Sequence, residues 1–288
     1  MINGSNLKTV TCKNCGSSLV VRFGTYKGAQ RYWCKSCQRK FKSDGGFHTQ
    51  VPVEYISRAL DLYYHGMFIK SIAIHLKREY NYHPSKSTIF NWASKYTSLI
   101  IQQFKEYCPQ VGNIWILDKI RLNINEKNQV WFYYVIDRKT RFLLAFKVVK
   151  KTAAQDVKKL KAEASKKAGL TNPKEIITDD NYSYLDEIGL SYCSEIENTR
   201  EKSFTYRDTM NMIKRFHGTL KDRTQIIRYF TNLQNMIQFA NGLTVLYNYF
   251  KPQESLSSKT PAEIAGIKYN IKNWSDLIRV PVWKKPKT

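Results

Sequence analysis

Apolar and aromatic positions from residue 113 onward follow the pattern of β-strands. Three segments rich in β-branched and aromatic residues succeed one another at Ile114–Ile124, Val130–Ile136 and Arg141–Val149. Turn-forming residues at 125–128 and 138–140 separate them. Short polar turns between strand-forming segments predict three consecutive antiparallel strands.

The segments after these strands alternate between helical and strand-like patterns. A helix is predicted over Ala153–Ala168 and a short strand over Glu175–Thr178. Two long helices are predicted over Tyr206–Thr224 and Leu233–Phe250. The order of three strands, a helix, a strand and further helices indicates an α/β domain.

Three shorter helices are predicted ahead of this domain. Apolar residues at helical spacing mark 52–64 and 68–79, and Ser85 or Ser87 can cap a third helix that ends near Ile101. A polar and basic third helix is the plan of a helix-turn-helix, whose last helix enters the major groove of DNA, and a simple helical linker domain is the alternative. The candidate DNA contacts on this helix are Lys86, Thr88, Asn91 and Lys95.

Four cysteines near the N-terminus are arranged as two Cys-x-x-Cys pairs, Cys12 with Cys15 and Cys34 with Cys37. Strand-like runs at 20–23 and 30–33 lie between the pairs. This spacing is typical of a zinc ribbon, in which two turns each supply two thiolates to one structural zinc ion. Two disulfides in a secreted protein are the alternative. The isolated Cys108 and Cys193 are predicted to be buried apolar thiols.

The charge balance of the chain indicates a polyanionic partner. Its 288 residues contain 47 Lys and Arg against 23 Asp and Glu, which gives a formal net charge of +24. Such an excess is uncommon in an enzyme of small metabolites and favours nucleic acid, while a generally basic surface is the alternative. No apolar run approaches the roughly 20 residues of a membrane span, and no signal peptide is recognisable, so we expect a cytoplasmic location at the nucleoid.

Two carboxylates fall on predicted strands of the α/β domain. Asp118 interrupts the apolar run of the first strand, where burial of a charge costs several kcal/mol unless it is paired. Asp179 follows the fourth strand, where a strand-ending turn at Asp179-Asp180 is the alternative reading. Acids on adjacent strands can hold two Mg²⁺ ions about 3.5–4 Å apart for phosphoryl transfer.

The segment from 211 to 223, with the sequence Asn-Met-Ile-Lys-Arg-Phe-His-Gly-Thr-Leu-Lys-Asp-Arg, resembles the last catalytic helix of the DDE transposases of bacterial and archaeal insertion sequences. In that family a Glu precedes the Arg-Phe-His-Gly run and completes a carboxylate triad, whereas this chain has Lys214. The 34 residues between Asp179 and Lys214 equal the separation of the second Asp and the Glu in the family. The segments Tyr247–Leu256 and Lys259–Glu263 are also similar to the family's C-terminal signature.

The resemblance covers roughly residues 10 to 267 and is closest to small single-gene insertion sequences that move by a replicative route. It implies a ribonuclease-H-like mixed-sheet core preceded by the zinc ribbon and the helix-turn-helix. The implied domains are 1–45 for the ribbon, 46–107 for the helix-turn-helix, 108–267 for the core and 268–288 for a basic tail. A position that is often Glu in relatives is Lys119 here.

The resemblance also implies the site residues and the partners. Asp118, Asp179 and Lys214 occupy the catalytic positions, and the two acids are the expected ligands of Mg²⁺ or Mn²⁺. Double-stranded DNA with terminal inverted repeats is the expected partner, and the chain is expected to form at least a homodimer. Further DNA contacts are expected from the basic residues of the last catalytic helix, namely Arg215, His217, Lys221 and Arg223.

Lys214 leaves three functions open. The first is a DNA-binding protein of transposase descent in which Lys214 reaches toward Asp118 and Asp179 and replaces a missing cation. The second is an active transposase that tolerates Lys214 or recruits another acid. The third is a zinc-ribbon transcription regulator. On a helix Asp208 and Asp222 point about 120° and 80° away from Lys214, so neither can replace the acid without rearrangement. The remaining candidates for a replacement acid are Glu195, Glu197 and Glu201 in the preceding stretch.

Overall fold

The computed structural model describes residues 10–12, 17–26, 29–36, 38, 40–42, 51–123, 129–151, 153–178, 200–224 and 233–279. The chain divides into two compact units. One comprises residues 1–58 with 273–288, and the other comprises residues 59–272.

The N-terminal part of the first unit contains a small antiparallel sheet. Its strands are β1 (Val20–Tyr26), β2 (Ala29–Cys34) and β3 (Lys40–Lys42), paired in that order. The ring of Phe23 lies 5.9 Å from that of Trp33, and Nζ of Lys40 lies 4.1 Å from the Phe23 centroid. Both predicted strands are therefore present, and aromatic and cation–π contacts across neighbouring strands hold the sheet together.

Three helices follow close to their predicted bounds: α1 (Val53–Tyr64), α2 (Ile69–Tyr80) and α3 (Lys86–Phe104). The turn after α2 contains Asn81 in the left-handed region, with φ of 49°. Ser85 begins the third helix, because its side chain accepts a hydrogen bond of 3.0 Å from the Thr88 backbone N–H. Of the two predicted caps, Ser85 is the one used.

The α/β domain contains a four-stranded mixed sheet. Strands β4 (Ile114–Asn123), β5 (Gln129–Asp137) and β6 (Leu143–Val149) are antiparallel, and β7 (Glu175–Ile177) pairs with β4 in parallel. The strand order is β6-β5-β4-β7. Helix α4 (Ala154–Lys167) connects β6 to β7 and packs against β5 and β6. The predicted α/β class with a mixed sheet is confirmed.

Two long helices complete the domain. Helix α5 (Arg200–Thr224) packs against β4. Helix α6 (Leu233–Val245) continues into a single π-helical turn, Leu246–Phe250, where an uninterrupted helix was predicted. In that turn the buried Asn248 side chain accepts a hydrogen bond from the Leu143 N–H and donates one to the Leu143 carbonyl, both at 2.9 Å. The π turn therefore anchors the end of α6 to β6.

The tri-helical segment packs on the core through α6. The ring of Tyr64 stacks on Phe239 with centroids 5.6 Å apart, and its hydroxyl forms a hydrogen bond with Thr97 of α3. Gly242 faces this ring, and a Cβ there would lie 2.2 Å from two ring atoms of Tyr64. The missing side chain at Gly242 is what allows Tyr64 of α1 to pack closely against α6.

Two short helices lie near the C-terminus. Helix α7 (Pro261–Ile264) begins with a capping box, in which Thr260 and Glu263 each bind the other's backbone N–H. Helix α8 (Trp274–Arg279) buries Trp274, Leu277 and Ile278. The segment from 268, predicted to be a basic tail, is therefore folded as far as Arg279, because it carries apolar residues at helical spacing.

Helices in the described part of the chain are too short or too polar to cross a membrane.

Candidate functional site

Asp118 lies in the middle of β4 and its side chain is 1% exposed. In the antiparallel register it faces Tyr134 on β5. Its Oδ1 accepts a hydrogen bond of 2.7 Å from the Lys119 N–H, and its Oδ2 accepts one of 2.9 Å from the Tyr134 hydroxyl. Because a buried carboxylate is costly without donors, these contacts explain how the sheet tolerates a charge at its centre.

His217 of α5 is a further donor to this acid. Its Nε2 lies 3.0 Å from Asp118 Oδ2 and 2.9 Å from the Tyr134 hydroxyl oxygen. Since the hydroxyl hydrogen of Tyr134 is given to Asp118, Nε2–H of His217 donates to both oxygens. The three side chains form a closed hydrogen-bonded group, and the Phe216 ring packs on Tyr134 with centroids 4.5 Å apart.

Lys214 lies one helical turn before His217 and is exposed. Within the described part of the chain it forms no ion pair or hydrogen bond. The expected contact between Lys214 and Asp118 is therefore not made, because His217 occupies the position beside the carboxylate. Lys119 also points away: consecutive strand residues face opposite sides, and its Nζ lies 5.2 Å from the Trp131 ring.

Asp208 and Asp222 of α5 do not approach Asp118. Asp208 is exposed, and Asp222 lines a cleft between α5 and residues 251–255. This agrees with the helical geometry, in which neither acid shares the face of Lys214. Asp179 lies outside the described residues, so its predicted role as a ligand stays a prediction.

The described donors do not make up a site for two magnesium ions. They are one carboxylate with both oxygens already accepting hydrogen bonds, a Tyr hydroxyl and a His imidazole, with Lys214 at the position predicted for the third acid. Mg²⁺ requires oxygen ligands in near-octahedral geometry. Among the described residues no group of three or more His, Cys, Asp or Glu side chains could hold a metal ion.

The predicted zinc ligands are described in part. Cys12 and Cys34 are both buried, at 1% and 0% exposed, whereas Cys15 and Cys37 lie outside the described residues. The prediction that Cys108 is a buried thiol is wrong: the residue is exposed, in the polar loop between α3 and β4. Cys193, predicted likewise, is outside the described residues.

The four candidate DNA contacts of α3 are on its first half. Thr88, Asn91 and Lys95 fall within about 60° of one another around the helix, whereas Lys86 lies on another side of its first turn. Asn91 and Lys95 are exposed and Thr88 is half-buried. Burial lowers the pKa of Lys95 from its usual value, in line with its position over the Tyr96 ring, 5.3 Å from the centroid.

The basic residues of α5 have different environments. Arg215 and Lys221 are exposed, whereas Arg223 is 7% exposed and packs beside Gly66. A buried guanidinium does not reach a surface phosphate, and His217 is already bound to Asp118. The positions of Arg223 and His217 thus do not suit the direct DNA contacts that were predicted.

The missed member of the site is Tyr134. The strand pattern contained a signal for it, since a hairpin turn centred near residue 126 places 134 opposite 118. The role of His217 also had a signal, because residues three apart on a helix share a face. A helix that presents residue 214 to Asp118 presents residue 217 as well.

A four-stranded mixed sheet carries Asp118 at the centre of β4, and the long helix α5 packs against that strand. Residues 112–253 match a family model described as a DDE domain, of the IS240 transposase type. This segment is a DDE-type transposase domain, as its catalytic-helix sequence predicted.

Solved structures with a similar core are viral integrases. One is the catalytic core domain of the integrase of HTLV-2 in complex with magnesium, in dimeric form, with 16% identity and a TM-score of 0.37 over 55% of this chain and 97% of the integrase chain. Another is the simian T-cell lymphotropic virus intasome in complex with the PP2A regulatory subunit B56 gamma, with 13% identity and a TM-score of 0.38 over 74% of this chain and 75% of the other. No curated protein matches the chain.

Proposed function

We propose that this chain binds double-stranded DNA that carries the terminal repeats of an insertion sequence. Its cleavage and strand-transfer activities are lost or weak. The observation that carries the proposal is the position of Lys214. It stands where the family has its third acid, and neither Asp208 nor Asp222 of α5 approaches Asp118.

Electrostatics explain why this exchange is severe. A Glu at position 214 would supply an oxygen ligand with charge −1, whereas Lys supplies no ligand and brings charge +1. In a partly desolvated site a like charge beside a divalent ion is strongly unfavourable. A metal ion at Asp118 Oδ2 would also have to displace His217, which contacts that oxygen at 3.0 Å.

DNA binding is supported by charge and by the exposed polar face of α3. The formal net charge of +24 favours a polyanion. On α3 the side chains of Asn91 and Lys95 are exposed on one face, as required of a helix that enters a major groove. Arg215 and Lys221 of α5 supply exposed charge for phosphate contacts, which position a protein on DNA without reading its sequence.

The remaining parts of the proposal concern zinc and assembly. Cys12 and Cys34, one from each Cys-x-x-Cys pair, are both buried in the first unit, which supports a structural zinc site completed by Cys15 and Cys37.

We infer a homodimer or a larger assembly, because transposition brings two DNA ends together. We also infer a cytoplasmic location, where DNA is accessible.

Strand transfer on a duplex carrying the element's end sequence tests the proposal. Wild type, Lys214→Glu and Lys214→Gln are compared with Mg²⁺ and with Mn²⁺, and DNA affinity is measured for each. We expect similar affinity for all three and joining only by Lys214→Glu. Lys214→Gln separates the lost ligand from the added charge, because it removes the charge without restoring a carboxylate.

An active DDE transposase is the second candidate, supported by the DDE-domain match over residues 112–253 and by Asp118 at the centre of β4. In that case wild type joins DNA in the presence of metal, and Asp118→Ala abolishes the joining. This result would exclude an impaired active site. Absence of binding to any DNA by the folded wild type would exclude both candidates.

A further inference from the structure

The cleft between α5 and residues 251–255 lies on the side of α5 that faces away from Asp118. Its volume is about 460 Å³, within the range of ligand-binding cavities. At about 100° per residue, Arg215 and Thr219 each lie about 160° around the helix from His217. The cavity therefore lies on the other side of α5 from the Asp118 site, and Phe216 borders both.

One wall of the cleft is fixed by a strained turn. Arg141, between β5 and β6, has a φ of +59°, which is uncommon for a residue with a side chain. Asp137 maintains this turn. Its carbonyl accepts from the Arg141 N–H, and its buried carboxylate accepts hydrogen bonds from Thr140 and from the Gly112 N–H. The backbone of Arg141 is thus held at the edge of the cleft.

The opposite wall, residues 251–255, is fixed as well. It follows the π turn, where Asn248 is bound to Leu143 through two hydrogen bonds. At its other end, Gln253 forms an isolated β-bridge with Lys259, with a backbone hydrogen bond of 3.0 Å. The cleft is therefore preformed on three sides.

The positive side chains of the cleft outnumber the acids that line it. Arg141, Arg215 and Lys251 line it together with Asp222 and Glu254. Over the residues that the structure describes, none of these five side chains takes part in an ion pair within 4.0 Å. Burial and the nearby Arg223 lower the pKa of Lys251, whereas Asp222 acts in the opposite direction. A preformed cleft with an excess of cations that form no close ion pair is suited to an anion.

We propose that this cleft binds a phosphodiester segment of a DNA strand through Arg141, Arg215 and Lys251. The proposal rests on the proposed DNA-binding function and adds a contact region apart from α3 and from the Asp118 site. Guanidinium groups bind phosphate oxygens in pairs, and Lys adds a point charge. The acids and Gln253 at the other side of the cleft keep it from being a uniformly positive surface and leave groups that can bind a base or sugar.

Binding of end-sequence duplex to the full chain, measured over a range of salt concentrations, tests this assignment. Arg141→Asn removes the charge while Asn tolerates the left-handed φ, and Arg141→Lys restores a charge at the same place. Lys251→Gln is matched by Lys158→Gln, which removes the same charge from the exposed face of α4. We expect Arg141→Asn and Lys251→Gln to bind about tenfold more weakly with a salt slope smaller by about one, and Arg141→Lys to recover part of the affinity. Lys158→Gln should stay close to wild type.

The outcomes distinguish a failure of the cleft assignment from a failure of the proposed DNA binding. Equal affinity of Arg141→Asn, Lys251→Gln and Lys158→Gln, with wild type binding DNA, would overturn the cleft and leave DNA binding intact. Failure of wild type to bind DNA would overturn both. A third measurement is a titration with dAMP. Micromolar binding that depends on Arg141 would identify a free nucleotide as the ligand and would overturn the assignment of a DNA strand to the cleft.

Discussion

Nε2 of His217 lies 3.0 Å from Oδ2 of Asp118, and this contact joins α5 to the centre of the sheet. The carboxylate thereby has a structural partner on the helix that carries Lys214. A metal ion bound by this acid, as predicted, would compete with His217 for the same oxygen. Under the proposed function, Lys214 weakens metal binding and leaves the contact with His217 intact.

The structural function of Asp118 can be measured by a double-mutant cycle with His217. Asp118→Asn and His217→Asn each remove one charged or donor group from a buried contact. We expect a coupling energy of about 1–3 kcal/mol in urea unfolding, because the pair exchanges a charge-assisted hydrogen bond away from water.

A parallel cycle between Asp118 and Lys214→Gln is the control. Lys214 is exposed and does not contact Asp118, so the coupling should stay below about 0.5 kcal/mol. A coupling to Lys214 as large as that to His217 would mean that the lysine pairs with the acid in solution.

Gly242 should be intolerant of the smallest side chain. In a helix Gly→Ala ordinarily stabilises by about 0.4–1 kcal/mol. Here the new Cβ would lie 2.2 Å from the Tyr64 ring, which is fully buried against Phe239. We expect Gly242→Ala to lower the free energy of unfolding by about 1–3 kcal/mol and to lower the melting temperature.

Gly218 of α5 offers a matched control for this substitution. A Cβ there would meet nothing within 4 Å. Gly218→Ala should therefore give the ordinary helical stabilisation. Equal and stabilising effects at both positions would show that Tyr64 of α1 is not in close contact with α6 at Gly242.

Local patterns predicted most elements of the fold. The polar turn near residue 126 and the Ser85 cap are signals within a few residues of the chain, so the β4–β5 hairpin and the start of α3 were found. The π turn was missed because it is held by Asn248 bound to Leu143, a partner far away in sequence. Periodicity records which face of a helix is apolar and contains nothing about such a contact.

In the candidate site, too, local patterns predicted some features, and contacts between residues distant in sequence were missed. The position of Asp118 within a strand and the helical register of Lys214 could be read from the chain. The contact of His217 with Asp118 depends on how α5 crosses the sheet, and it replaced the predicted contact of Lys214. The cleft of Arg141 and Lys251 joins residues from a β-turn and from the segment after α6, which no local pattern brings together.

Removal of the Cys12 thiolate should release zinc from the N-terminal part of the chain. If Cys12 and Cys34 belong to a four-thiolate site, purified wild type contains a single zinc ion per chain, and Cys12→Ser loses it. Cys108→Ser is the control, because Cys108 is an exposed thiol outside both Cys-x-x-Cys pairs. Metal content is measured after dialysis, together with DNA affinity. Retention of zinc by Cys12→Ser would contradict the ribbon, and unchanged DNA affinity on zinc loss would assign the ribbon to protein contacts.

Lys167 should make stability rise with pH on the alkaline side. Its Nζ donates hydrogen bonds of 2.7 Å to the carbonyls of Phe104 and Tyr107, and burial lowers its pKa from 10.5 to about 8. The folded state therefore releases this proton before the unfolded state does. Between about pH 8 and pH 10.5 the unfolded chain binds more protons at this residue, so the contribution of Lys167 to the free energy of unfolding increases with pH there and is constant below pH 8.

Because of this lowered pKa, the free energy of unfolding should increase by about 2 kcal/mol across this pH range, after allowance for the partial solvent exposure of Lys167. It is measured as the difference in unfolding free energy between wild type and Lys167→Met from pH 7 to pH 10, which cancels the titration of other groups. The difference should change steadily above pH 8. Lys166→Met removes an exposed neighbour on the same helix and should leave the pH dependence of wild type in place. An equal slope for wild type and Lys167→Met would mean that the buried amine stays charged, with its three N–H groups satisfied by the two carbonyls and by water.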